Sequence, residues 1–164
     1  MRTIKFKGKC LRPKNGKEIV YGSPLSFPNG TALIFEPLRH QDFRFWGVDP
    51  DTVCQFTGFR DKNGKEIYEG DVLRSDEYPF SCAEDNKRDN YFGIVFYSEV
   101  GAAFGIMAAK NPEATVRGIS DGISDYISQD YLDKFEVIGN IHEDEWKQYG
   151  EYFSNKEEKE AEDD

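Results

Sequence analysis

The chain has 164 residues and a mass of 18.9 kDa, a length that suits one compact domain or a core with a small subdomain. Charged residues make up 32% and aromatic residues 15%, the formal net charge is −10, and no apolar run approaches the roughly 18 residues that a membrane-spanning helix needs. Because the first residues also lack the apolar block of a signal peptide, we expect neither a membrane protein nor an exported one.

The cysteines and histidines indicate which chemistries are missing. Cys10, Cys54 and Cys82 are widely spaced and odd in number, whereas disulfide scaffolds and zinc ribbons need dense or paired cysteines. We therefore predict a reducing, cytoplasmic setting with the cysteines as small buried side chains, and only Cys10, among cations, as a candidate reactive thiol. The chain has two histidines and none of the usual nucleotide-binding or nucleophile motifs, so we predict no metal, no cofactor and no enzymatic activity.

The N-terminal segment alternates apolar and cationic residues with a period of two, which is typical of a half-buried strand. The cations are Lys5, Lys7, Lys9 and, slightly later, Arg12. One interpretation is a solvated face that discourages edge pairing. The other is a surface that contacts nucleic acid or an acidic partner.

Asn-Gly pairs are the strongest turn signals, because both residues tolerate positive φ. They occur at Asn15-Gly16, Asn29-Gly30 and Asn63-Gly64. The first predicts that the N-terminal strand pairs with Ile19–Tyr21. The string Lys-Asn-Gly-Lys-Glu-Ile surrounds both the first and the third pair, and we interpret it as shared hairpin chemistry rather than duplication.

Further short apolar runs predict strands along the rest of the chain. These runs are Thr31–Phe35, Val53–Phe56, Val72–Arg74, Tyr91–Tyr97, Phe104–Ala108 and Phe135–Ile141. Residues 39–47 are mixed and aromatic and receive no assignment, and residues 119–132 are helical or irregular. From Glu143 the spacing of Trp146, Tyr149 and Phe153 predicts a short C-terminal helix whose aromatic stripe forms core or a subunit interface.

This pattern predicts a mainly β (β-rich α+β) fold, with antiparallel sheets, a small SH3-like barrel part and the C-terminal helix. We expect an N-terminal β-hairpin subdomain at residues 1–47, a barrel-like core at 48–142, and the helix with an acidic tail at 143–164.

Carboxylates crowd the centre of the chain, and Asp61, Glu69 and Asp71 are the acids that a hydrolase would use. Since they stand beside Gly64 and Gly70, we favour a role in capping turns and keep the hydrolase as an alternative.

Charge is distributed unevenly. Residues 1–74 carry 13 basic and 9 acidic side chains, whereas residues 75–164 carry 8 and 22. Such polarity allows head-to-tail contacts between copies and argues against general binding to duplex DNA.

The central run from Gln55 to Leu73 (QFTGFRDKNGKEIYEGDVL) resembles the hallmark segment of the YopX family. Arg2–Phe6 is similar to the opening strand of that family, Gly93–Tyr97 to its middle strand and Phe135–Glu143 to its closing segment, so the resemblance covers about residues 1–145. It implies a small protein of phages, prophages or other mobile elements, with a β-rich, partly barrel-like fold, unknown function and no established catalytic residues.

Together these observations favour a non-enzymatic, homo-oligomeric accessory protein that binds an unidentified host or phage protein. The first alternative is a nucleic-acid-associated β module that uses the basic N-terminal strand. The second alternative is the carboxylate-dependent hydrolase.

Overall fold

The computed structural model describes residues 3–39, 42–76, 91–99, 101–109 and 123–146, and most of these lie in strands. In chain order the strands are β1 (Phe6–Lys14), β2 (Lys17–Ser26), β3 (Ala32–Pro37), β4 (Phe43–Val48), β5 (Cys54–Arg60), β6 (Glu66–Tyr68), β7 (Asp71–Ser75), β8 (Tyr91–Ser98), β9 (Ala103–Ala109), β10 (Ile123–Tyr126) and β11 (Glu136–Asn140). A 3-10 turn (Pro50–Thr52) and one helical turn, α1 (Gln129–Leu132), accompany them. The prediction of a mainly β chain is confirmed.

The chain divides into two compact units, Met1–Gly58 and Phe59–Asp164, which we call the barrel unit and the sheet unit. The barrel unit contains nine basic and five acidic side chains, whereas the sheet unit contains 12 and 26. The two units therefore have opposite net charges.

Four strands of the barrel unit close into a barrel. β1 pairs with β2, β2 with β3, β3 with β4 and β4 with β1, and every pairing is antiparallel. β2 contacts two neighbours because its residues up to Gly22 pair with β1, while Ser23–Ser26 pairs with β3. The prediction that the fold contains a barrel is thus confirmed, but β1 to β4 form it, whereas the prediction placed it at residues 48–142. The likeness to an SH3 barrel stays a prediction.

Gly22 stands where β2 changes partner. A Cβ at this position would overlap the carbonyl group of Phe35 on β3. Glycine is therefore the residue that lets the strands approach each other at this corner of the barrel.

The interior of the barrel is filled by alternate residues of its strands. They are Cys10, Val20, Ala32, Ile34, Trp46 and Val48, with Val53 packed against them. The intervening residues point outward, because successive side chains of a strand face opposite sides of the sheet.

The sheet unit contains an antiparallel sheet with the strand order β10-β9-β8-β7-β11. Its core includes the fully buried residues Ile67, Leu73, Ile106, Leu132 and Phe135. Outside this core, Glu136 forms ion pairs with Arg74 and Lys62, and the hydrogen bond from Arg74 holds the pKa of Glu136 below its usual range.

The predicted turns agree with the structure. Asn15 and Gly16 both adopt positive φ, of 54° and 73°, and β1 pairs with β2 through Lys7 opposite Tyr21 and Lys9 opposite Ile19. Gly64 likewise has a φ of 80° in the third Asn-Gly turn.

The predicted C-terminal helix is not supported. Residues 141–146 form turns, in which the Trp146 N–H donates to the Glu143 carbonyl, and the rest of the predicted helix lies outside the described residues. Within the described ranges, no helix is long and apolar enough to span a membrane.

Candidate functional site

The basic strand occupies the outer face of the barrel at the first half of β1. Lys7 lies opposite Tyr21 and Lys9 opposite Ile19, while the Lys5 Nζ sits 5.3 Å from the centre of the Tyr21 ring. These lysines therefore lie on the same side of the barrel as the Tyr21 ring, which is 42% exposed. Arg12 is not part of that surface, because the register between β1 and β2 breaks between Lys9 and Lys14.

A second exposed surface is apolar and lies on the outer side of β2, β3 and β4. We call it the phenylalanine face, and it consists of Leu25, Leu33, Phe35, Phe43 and Phe45. The pairing register places Leu25 opposite Leu33 and Phe35 opposite Phe45. The three phenylalanine rings contact one another at centroid distances of 5.3 to 5.6 Å. Phe43 nevertheless remains 57% exposed, Phe45 50% and Leu25 46%.

The phenylalanine face was not predicted from the sequence. Its signal was the alternation of phenylalanine with other side chains over Phe43–Val48, a period of two within the segment that received no strand assignment. The pattern becomes interpretable only when β3 lies beside β4 and brings Phe35 to Phe45.

A polar cluster surrounds the buried indole of Trp46 on the other side of β4. The Trp46 Nε1 donates to Glu36 Oε2 at 2.7 Å, and the Lys17 ammonium donates to Glu36 Oε1. The Lys17 Nζ and the Arg44 Cζ lie 5.2 and 5.3 Å from the Trp46 ring centre. The hydrogen bond from Lys17 is the main reason that the pKa of Glu36 is lowered from its usual value.

A groove opens where β1 and β4 separate. The two strands pair at Cys10 and Val48. Beyond this pair they enclose a groove of about 710 Å³, which is within the range typical of ligand sites. Its lining residues are Leu11, Arg12, Lys14, Asn15, Arg44, Phe45, Trp46 and Gly47.

The groove combines cations with apolar surface. Three of its lining residues are cationic, and none of the eight is acidic. Leu11 is 61% exposed and lies close to Gly47, so the apolar part of the groove continues into the phenylalanine face at Phe45.

Cys10 is buried in the middle of β1, within the core of the barrel. Burial raises the pKa of its thiol, which opposes formation of the reactive thiolate. Cys54 is buried as well, so both of these cysteines match the predicted small buried side chains, while Cys82 lies outside the described residues.

The central carboxylates act as acceptors for backbone and amide groups. Asp61 is 5% exposed and accepts from the N–H groups of Asn63, Lys65 and Val137 at 2.8 to 2.9 Å. Its bonds to Asn63 and Lys65 organise the third Asn-Gly turn, as the turn-capping interpretation predicted.

Asp71 is 1% exposed and accepts from the N–H of Tyr68 and from the side-chain amide of Asn140. The Asn140 amide also donates to the Glu69 carbonyl. These groups connect β7 and β11, which are adjacent strands at one edge of the sheet. Within the described part of the chain, every buried side-chain nitrogen and oxygen has a hydrogen-bond partner.

Of the three aromatic residues predicted to form a C-terminal interface, the structure describes only Trp146. Trp146 is half-buried, and its indole covers Gly139 of β11 so closely that a Cβ there would overlap it. Tyr149 and Phe153 lie outside the described residues. Among the residues that the structure describes, no group of three or more potential ligands could hold a metal ion.

Comparisons with known proteins identify one family. The model of the YopX family, described as "YopX protein", matches residues 13–145. No curated protein matches the sequence. One similar solved structure is the crystal structure of protein EF1440 from Enterococcus faecalis, with 18% identity and a TM-score of 0.42 over 88% of this chain and 97% of that one. At this identity and TM-score, the likeness carries no argument about function.

Proposed function

The chain belongs to the YopX family, and from this premise we propose that it is a non-enzymatic accessory protein of a phage, prophage or other mobile element that binds proteins and self-associates through its phenylalanine face. The family is one of unknown function, so the proposal is supported by the surfaces of this chain. Its support is strongest in the barrel unit.

The observation that carries the proposal is the exposure of Phe43, Phe45 and Leu25 on one continuous sheet surface. Scattered apolar residues are normal on a protein surface, but contiguous apolar patches are typical of interaction sites. Full burial of a phenylalanine or leucine side chain contributes about 1.5–3 kcal/mol. Covering the face therefore provides a substantial driving force for association.

A second copy of the chain fits this face by symmetry. Two-fold dimers join the same patch on both subunits, so the patch must complement itself. An open sheet surface of leucine and phenylalanine meets that condition, because apolar contacts are not directional. A charged surface of one sign would repel its own copy.

The non-enzymatic part of the proposal is supported by the hydrogen bonds of the two buried central carboxylates. Asp61 and Asp71 accept from backbone N–H groups on both of their oxygens or from an amide partner. A general acid or base needs an oxygen that reaches a substrate proton. These oxygens instead hold turns and strands together.

The experiment measures the mass of the protein in solution by light scattering over micromolar concentrations. We expect wild-type protein to be dimeric and the L25S/F43S variant to dissociate at concentrations at least tenfold higher, since it removes apolar area from both ends of the face. The matched control is I4S/I19S, which changes two other exposed apolar residues of the barrel unit. A monomeric wild type, or equal masses for wild type and L25S/F43S, would contradict self-association.

The second candidate function is nucleic-acid binding by the basic strand. It is favoured by the position of Lys5 over the Tyr21 ring and of Lys7 opposite Tyr21, since single-stranded nucleic acids bind surfaces that combine cations with aromatic rings. We expect K7E/K9E to abolish any salt-dependent binding of single-stranded DNA or RNA. Absence of binding by wild-type protein at low salt would remove this candidate.

A further inference from the structure

We propose that the groove between β1 and β4 binds an extended acidic peptide segment of another protein, which adds to the open edge of β4. This inference goes beyond self-association, because the groove and the phenylalanine face are distinct surfaces that share only Phe45.

The edge of β4 supplies the backbone partner. On one side, β4 pairs with β3 at all six of its positions, from Phe43 to Val48. On the other side, its described pairing with β1 is the single position at Val48. Alternate N–H and C=O groups of an antiparallel strand point to opposite edges. The segment from Phe43 to Gly47 therefore presents backbone groups to the groove.

The described pairing of β1 with this edge ends at Val48, where β1 becomes irregular. Its pairing register with β2 breaks between Lys9 and Lys14, a stretch that contains Pro13. Proline has no N–H to donate and is typical of strand edges and irregularities. The groove is therefore bordered by a regular strand edge on one side and by the irregular half of β1 on the other.

The charges of the groove select the side chains of the peptide. Arg12, Lys14 and Arg44 line it, and within the described residues neither Arg12 nor Lys14 forms an ion pair. Arg44 lies opposite Glu36 on β3, but Glu36 is already bonded to Lys17 and Trp46. Carboxylates of an incoming strand would form ion pairs with these cations.

The two sides of β4 differ in character, so a peptide that alternates apolar and acidic residues fits this edge best. Phe45 and Gly47 belong to the outer side of β4, with Leu11 beside Gly47, whereas Arg44 and Trp46 belong to the other side. A strand added to this edge would place alternate side chains on these two sides. Apolar residues suit the outer side and acidic residues the side of Arg44. The five residues from Phe43 to Gly47 span about 17 Å at ~3.3 Å per residue, which sets the length of the segment.

A strand edge favours a peptide over a polynucleotide. Peptide addition to a sheet gains affinity from main-chain hydrogen bonds and specificity from alternate side chains. Phosphate and bases would use the cations and Phe45 but would leave the N–H and C=O groups of the edge without ladder partners. Nucleic acid is therefore an outcome that the test must distinguish.

The test uses fluorescence anisotropy of the full chain with a labelled six-residue peptide of alternating Glu and Val, capped at both ends. We expect saturable binding that weakens with salt, at least a tenfold loss in R12E/K14E, and less than a twofold change in K7E/K9E, which alters net charge equally on another surface of the barrel unit. The same peptide with alternate backbone nitrogens methylated should lose at least tenfold, because it cannot complete the ladder. Circular dichroism of each variant checks that it is folded.

Several results would overturn the proposal. These are absence of binding by the wild type, equal losses in R12E/K14E and K7E/K9E, unchanged binding of the methylated peptide, or tighter binding of oligo-dT or oligo-U that R12E/K14E removes. The Trp46 indole resonance gives an independent readout in NMR, because Trp46 lines the groove and should shift on titration while that of Trp146 does not. Repeating the titration with L25S, which truncates the phenylalanine face on β2 but leaves the edge from Phe43 to Gly47 intact, separates this site from self-association. Peptide binding should persist in that variant whether or not the wild type is dimeric.

Discussion

The barrel unit and the sheet unit treat their large apolar side chains differently. Among the described residues, the exposed large hydrophobic side chains are concentrated in the barrel unit, with Leu11, Phe43 and Phe45 at least half exposed, whereas the sheet unit contributes only Tyr97. The sheet unit instead buries Phe135, Leu132 and Ile106 completely. In the described part of the chain, exposed apolar surface therefore lies mostly in the barrel unit, which is the unit that we propose to bind partners.

The size of the barrel explains part of this contrast. Only four strands enclose the interior of the barrel, and Ile34, Trp46 and Val48 are among the residues that fill it. Since side chains alternate, a strand with apolar residues at consecutive positions must expose every second one. The outward phenylalanines therefore do not contribute to the core. Their exposure to water is unfavourable, and only a contact that buries them removes this free-energy cost.

Truncating a buried phenylalanine should give the largest change in stability, and the same change at an exposed phenylalanine should give almost none. We expect Phe135→Ala to destabilise the sheet unit by about 3–5 kcal/mol, because it removes a fully buried ring and leaves a cavity. Phe43→Ala should change stability by less than about 0.5 kcal/mol, because its ring is largely exposed. Urea unfolding followed by tryptophan fluorescence measures both, since Trp46 belongs to the barrel unit and Trp146 to the sheet unit. Similar losses for both variants would contradict the distinction.

The buried carboxylate of the sheet unit should give an intermediate effect. Asp71→Ala leaves the Tyr68 N–H and the Asn140 amide without their buried acceptor, which should cost about 2–3 kcal/mol. The matched change in the barrel unit is Asp51→Ala, at an exposed position, with an expected cost below about 0.5 kcal/mol. Urea denaturation of each variant provides the comparison. A neutral Asp71→Ala would show that this network does not hold β7 to β11.

The ion pairs should give the smallest effect, and they are alike in the two units. Lys17 lowers the pKa of Glu36 in the barrel unit, and Arg74 lowers that of Glu136 in the sheet unit. A lowered pKa in the folded state stabilises the protein above the unfolded value of about 4.3, and this contribution is lost as the pH falls through the folded value. Because partly exposed pairs contribute about 0–1 kcal/mol, the loss should be small.

NMR titration of the glutamate carboxyl carbons tests this prediction. Lys17→Met should raise the pKa of Glu36 towards its usual value and leave that of Glu136 unchanged, and the variant should lose less stability than the wild type on acidification. An unchanged pKa of Glu36 in this variant would show that Lys17 is not the cause of the shift.

Particular residues show how much of the fold and of the surfaces could be predicted from the sequence. The alternation of Lys5, Lys7 and Lys9 with apolar residues predicted that these lysines point outward, and in the structure Lys9 is exposed while Lys5 and Lys7 are half-buried. Arg12 was grouped with that stripe, but the register break after Lys9 places it in the groove. The predicted C-terminal helix failed at Glu143–Trp146, where a turn holds the Trp146 indole over Gly139. Helical spacing of aromatic residues is compatible with a helix, but tertiary contacts decide whether one forms.

The sequence by itself determined the hairpins, the β class and the family, because Asn-Gly turns and alternating strands depend on residues that are close together in the chain. Tertiary structure alone decided which strands close into a barrel, where β2 changes partner at Gly22, and that β1 and β4 separate after one pair. Strand pairing joins residues that are distant in the chain, so its outcome depends on how all side chains pack together and cannot be obtained from any local pattern.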